Sequence, residues 1–178
     1  MFLKTPRIAI AGWLALVVGQ LAFAAEMVHL TAAEFLEQSL PGCQQKALWL
    51  KKDVKAEIEA MLERPYSGAR IRYCMADGKT AWILDEIGKT EPITSGIVVE
   101  KGVVDQVRVL VFRESRGGEV HREVFTRQYQ HASLDEKGRL DQGVDGITGA
   151  TMSVNAVNRQ VRLALLLDQL VEESNSDH

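Results

Sequence analysis

Cysteines, basic clusters and repeats are scarce in this sequence, and each scarcity closes off a class of function. Cys43 and Cys74 are the only two cysteines, so at most one bridge can form, and no Cys-x-x-Cys-His stands ready to attach a c-type haem. Two options stay open for the pair: a disulfide, if the chain is exported, or two buried thiols. His29, His121, His131 and His178 are scattered, with no spacing that puts two on one face for a metal. Each reads as a surface or hydrogen-bonded histidine. Lys and Arg form no cluster and no basic face interleaved with aromatics in a chain of net charge −3, so nucleic acid is not an expected partner. No internal repeat and no low-complexity tract interrupts the 178 residues, enough for one globular domain with a real core.

The N-terminus reads as a targeting segment. Lys4 and Arg7 form a basic start, Ile8 to Phe23 carries no charge, and Ala22-Phe23-Ala24 gives a small-x-small cleavage pattern. We therefore expect a signal peptide over residues 1–24, cleavage after Ala24, and a single exported domain over 25–178. The competing reading is an uncleaved membrane anchor, for which the apolar stretch is slightly short of the ~20 residues that span a bilayer. Removing the segment leaves 19 basic and 24 acidic residues, a net charge of −5.

Beyond residue 24 the elements run helix, sheet, helix. Thr31 with Glu34 forms a capping box ahead of Phe35-Leu36, predicting a short helix that Pro41-Gly42 ends. A longer helix is expected from about Gln44 to Leu62, with Leu48, Val54, Ile58, Met61 and Leu62 on one face. The period then changes. Ile71–Tyr73 and Thr80–Leu84 flank Asp77-Gly78, and Ile93–Val99 and Val103–Phe112 flank Glu100-Lys101-Gly102, predicting two hairpins of an antiparallel sheet. Phe125 to Tyr129 reads as a short helix or turn. A final helix runs from Thr151 to about Val171, with Val154, Val157, Val161, Leu165 and Leu170 as its buried stripe and a frayed polar tail after it. The fold class is α+β: N-terminal helices, an antiparallel sheet of two hairpins, and a C-terminal helix.

The start of that last helix carries the chemistry. Asp145-Gly-Ile-Thr148-Gly149-Ala150-Thr151 places two small residues and a hydroxyl where free N–H groups attract an anion. Thr-Gly-Ala-Thr alone is also an ordinary helix N-cap. Adding Asp145 makes the full pattern a chance event in roughly one chain in a thousand of this length. It resembles the Asp-x-x-(Ser/Thr)-Gly-Ala-(Ser/Thr) motif of periplasmic FMN-binding domains, such as the G subunit of Rnf complexes and the C subunit of sodium-pumping NADH:quinone reductase. The resemblance covers most of the mature chain in outline and is specific over residues 145–151.

That resemblance implies an exported electron carrier with FMN joined covalently to Thr151 by an ApbE-type flavin transferase. Gly149 and Ala150 would leave room for the phosphate, Thr148 fills the Ser/Thr position, and Asp145 serves the transferase or the turn. No base stands beside Thr151 in the sequence, so a separate enzyme is the natural requirement. The loop Glu114 to Gly118 is similar to a Glu-Thr-Pro-Gly-Leu-Gly loop near the flavin of Rnf-type subunits through Glu114 and Gly117. Ser115, Arg116 and Gly118 depart from it, which weakens the grounds for placing the chain in an Rnf complex. Arg116 could pair with phosphate or flavin oxygens; a plain solvated loop is the alternative. Trp49, Tyr66, Tyr73, Trp82, Phe112, Phe125 and Tyr129 are stacking candidates, more simply read as core. The expected partners are the transferase and redox proteins such as quinone-linked membrane subunits or cytochromes, in the periplasm. The chain reads as an electron-transfer flavoprotein rather than an enzyme with its own substrate. The alternatives are a flavin-free exported binding or structural module and a reductase holding FMN non-covalently.

Overall fold

The computed structural model describes residues 27–176; the expected signal segment, residues 1–24, lies outside them. The fold is α+β. Six antiparallel strands, β1 (Met27–Val28), β2 (Gln44–Trp49), β3 (Arg70–Ala76), β4 (Lys79–Ile87), β5 (Pro92–Glu100) and β6 (Val103–Phe112), lie in the order β1-β6-β5-β4-β3-β2. Helix α1 (Ala32–Ser39) covers one face. Helices α2 (Lys52–Leu62) and α4 (Thr151–Ser176) pack on the other, and α3 (Glu123–Thr126) follows β6.

Both hairpins form where the turn residues predict them. Asp77-Gly78 and Lys101-Gly102 have positive φ at both positions, the twist a two-residue type I′ connection requires. The capping box forms too: the Thr31 side chain accepts from Glu34 N–H, and Glu34 accepts from Thr31 N–H at 2.8 Å.

The long helix expected over Gln44 to Leu62 is half strand. Gln44–Trp49 pairs with Arg70–Met75 as an edge strand, and the helix starts only at Lys52. Leu48 happens to fall near Leu62 in helical phase, and Gln, Lys, Ala and Leu are good helix formers. Pairing with β3, tied by the Cys43–Cys74 disulfide, overrides that local preference. The bridge closes a sequence separation of 31, a length at which a disulfide typically stabilises by about 2–4 kcal/mol. The C-terminal tail also differs from expectation, since α4 stays helical to Ser176.

Helix α4 is buried on more than its expected stripe: Ala156, Leu163, Leu166, Leu167 and Val171 join it. Two polar side chains seat it. Gln160 donates to the carbonyls of Leu84 and Ile93, each at 2.7 Å, and accepts from Ser95 Oγ at 2.7 Å. Two turns on, Asp168 accepts from Thr80 Oγ1 at 2.5 Å and from Gly102 N–H at 2.9 Å. All these groups are satisfied, as burial demands. They fix the rotation and axial position of α4, and therefore where Thr151 stands. Among the described residues no helix is long and apolar enough to cross a membrane.

Candidate functional site

Thr151 is the first helical residue of α4, and the carbonyl of Ala150 accepts from Val154 N–H at 3.0 Å. Ala150 therefore occupies the capping position, and the Thr151 side chain caps nothing. Thr151 is exposed, and its hydroxyl has no hydrogen-bond partner among the described residues. The N–H groups of Thr151, Met152 and Ser153 also donate to no described residue, as expected of a helix start without a side-chain cap. Ser153 adds a hydroxyl, buried to 4% exposure and likewise without a described partner.

These donors line a cleft of about 630 Å³, whose other wall is Lys89, Glu114, Ser115 and Arg116. That volume lies within the ~300–1,000 Å³ usual for small-molecule sites. A second cleft, of about 530 Å³, shares Ser115, Arg116 and Gly149 and continues along Gly117, Gly118, His121 and Thr148. The motif and the loop after β6, far apart in sequence, thus face each other.

The expected site residues divide by role. Ala150 and Gly149 border the first cleft, and Gly149 has φ +80°, a conformation only glycine adopts without strain. Thr148 borders the second cleft. Asp145 borders neither; its N–H donates to Gln128 Oε1 at 2.7 Å, fixing the approach to the turn. Arg116 is exposed, borders both clefts, and has no described partner, so its guanidinium can reach an anion in either.

Glu114 lines the first cleft and also holds its wall together. Its carboxylate accepts from the N–H groups of Lys89, of Thr90 at 2.6 Å and of Glu91 at 3.0 Å, and from Thr90 Oγ1 at 3.1 Å. Burial alone would raise its pKa; these hydrogen bonds outweigh it and hold the carboxyl below its ordinary value. The charge therefore staples the β4–β5 turn to the loop after β6 and places Lys89 in the cleft wall. Gly88 fits beneath the staple, where a Cβ would stand 2.9 Å from Glu114 Oε1.

Gly117 is the tightest point. With φ +87°, a Cβ there would lie 2.8 Å from Ser153 Oγ and 2.9 Å from Ala150 Cβ. The loop thus packs directly on the start of α4. None of the candidate stacking aromatics borders either cleft. Trp82, Phe112, Phe125 and Tyr129 are core, and Tyr129 donates to Asn158 at 2.7 Å. Burial raises the Tyr129 phenol far above its ordinary pKa.

Sequence reasoning missed Lys89, Ser153 and His121. Only Ser153, two residues past the motif, carried a local signal. His121 donates through Nδ1 to the Gly118 carbonyl and stacks on His29, ring centroids 4.0 Å apart. These two histidines, expected to be scattered, meet because β1 pairs with β6 beside the loop. Burial, then the neighbouring His121, lowers the His29 pKa.

Open N–H donors, two hydroxyls and two cations around a roomy cleft suit a phosphate ester bearing a larger group. Residues 88–166 match the family model of the FMN-binding domain. That segment runs from the β4–β5 turn into α4 and contains every residue of the first cleft. No curated protein matches the chain.

Proposed function

We propose that this chain, which contains an FMN-binding domain of that family over residues 88–166, carries FMN through a phosphodiester bond to Thr151 Oγ1. In this reading it relays electrons between redox proteins outside the cytoplasm. The observation that carries the proposal is the exposed, unpartnered Thr151 hydroxyl at the mouth of the cleft. An ordinary cap would have turned that hydroxyl back onto the helix.

The attachment step balances with FAD as donor. A bond forms between Thr151 Oγ1 and the FMN phosphorus, the pyrophosphate bond breaks, and AMP leaves with the hydroxyl proton. No carboxylate or imidazole among the described residues hydrogen-bonds Thr151 to take that proton, so an ApbE-type transferase supplies the base. Once joined, the phosphate meets the N–H groups of the first turn, an interaction of about 0.3–1 kcal/mol that orients more than it anchors. Ser153, Lys89 and Arg116 supply further donors. The flavin brings the redox chemistry, and the protein supplies placement and charge. The Cys43–Cys74 bridge supports export, since such bonds persist in oxidising compartments.

Co-expression with an ApbE-type transferase, followed by a denaturing gel, tests the assignment. A fluorescent band that disappears in Thr151→Val is the expected result. Flavin that leaves on denaturation would replace it with non-covalent binding, and a colourless protein would leave a flavin-free module.

A further inference from the structure

A second cavity lies in the part of the chain before the matched segment. Strands β2 and β3 pair over the full length of β2, from Gln44↔Met75 to Trp49↔Arg70, but the β3–β4 ladder stops at Tyr73↔Trp82. Beyond that pair β3 follows β2 while β4 follows β5, and the sheet divides. The gap is a cavity of about 550 Å³ that reaches both faces of the sheet. Leu36 of α1 lines it from one side and Leu163 of α4 from the other. Leu163 is about 18 Å along α4 from Thr151.

The lining has two chemistries. Leu36, Ile71, Ile83 and Leu163 make an apolar interior, and Arg64, Arg70 and Arg72 stand at the rim. Arg64 is spent on Glu86 at 2.7 Å. Arg70 lies over the Trp49 ring at 5.5 Å, which leaves its N–H edge available. The Arg72 guanidinium has no partner among the described residues. The one lining carboxylate is Asp85, whose Oδ1 accepts from Thr94 Oγ1 at 2.5 Å. With Arg64 paired to Glu86, Arg70 and Arg72 outweigh Asp85 and leave a net positive rim beside an apolar slot, which selects for a compact anionic head on an apolar body.

We infer that the split between β3 and β4 is a binding site for a small organic anion with an apolar body, its carboxylate, sulfonate or phosphate held by Arg70 and Arg72. The site is independent of the flavin reading, because apart from Leu163 its lining precedes residue 88.

Calorimetric titration of the purified chain, with or without flavin, using naphthalene-2-sulfonate and decanoate tests it and distinguishes an aromatic from an acyl body. One saturable site is expected for at least one of them, weakened roughly tenfold or more in the double variant R70Q/R72Q. The neutral 2-naphthylmethanol should bind correspondingly worse. Raising ionic strength on the unaltered chain should also weaken binding, because salt screens charge pairs but strengthens apolar adsorption. That series decides the matter if the double variant does not melt cooperatively. Absence of a saturable site for both anions, or equal affinity in a folded R70Q/R72Q, or affinity that rises with salt, would overturn the proposal.

Discussion

Two cavities of similar size sit in this molecule, and they are built from opposite materials. The Thr151 cleft is defined by backbone: three amide N–H groups, glycines at positive φ, and a carboxylate stapling one turn to another loop. The gap between β3 and β4 is defined by side chains projecting from strands that have parted. A backbone site changes only when the chain path changes, whereas a side-chain site can be rewritten one residue at a time. The first should lose stability on gaining a methyl group at its crowded Gly117 border, and the second should keep its fold on losing a whole guanidinium.

The largest effect should come from Thr151→Val, which removes the proposed acceptor oxygen from an exposed position. Covalent flavin should fall to background while the apo protein's melting temperature stays within measurement error, read by gel fluorescence and calorimetry. A large stability loss would show that Thr151 is structural after all. Gly117→Ala comes next. The added Cβ meets both Ser153 and Ala150 at a positive φ, so a loss of about 1–3 kcal/mol in chemical denaturation is expected, with reduced flavin loading.

Glu114→Gln should cost about 1–3 kcal/mol at neutral pH, with a definite pH dependence. Because the native carboxyl is held below its ordinary pKa, its ionisation stabilises the fold above the unfolded-state pKa. That contribution fades as pH falls through the lowered native value. The wild-type advantage over the variant, followed by denaturation at a series of pH values, should therefore shrink on acidification; growth on acidification would refute the staple. Gly149→Ala should cost only about 1–2 kcal/mol, because the φ of +80° is strained but a Cβ there meets open space. Arg72→Gln should change stability by less than about 0.5 kcal/mol; a larger loss would mean that the Arg72 side chain holds the fold rather than standing free for a ligand.

The sequence made legible whatever is local. Asp77-Gly78 and Lys101-Gly102 announced their turns, the Thr31–Glu34 box announced α1, and the start of α4 stood at Thr151 as its motif implied. Non-local pairing stayed hidden. Nothing in Gln44–Trp49 says that it will follow β3, because the partner strand and the bridging Cys74 lie beyond an intervening helix. The same is true of the site. Gly149, Ala150 and Thr151 were readable as a helix start, but Lys89 reaches the cleft only through the Glu114 staple. Glu114 was expected near the cofactor by its likeness to a flavin-proximal loop, and it does line the cleft, while nothing local announced the three amides its carboxylate accepts from.

The polar seats at Gln160 and Asp168 separate durability from alignment. Greasy contacts alone let a helix slip or roll by degrees, but hydrogen bonds to fixed carbonyls and hydroxyls are met in only one register. Small repacking changes in the surrounding core should thus cost heat tolerance long before they move the tip of α4. A lineage can drift through many interiors while its reactive hydroxyl is presented at the same spot.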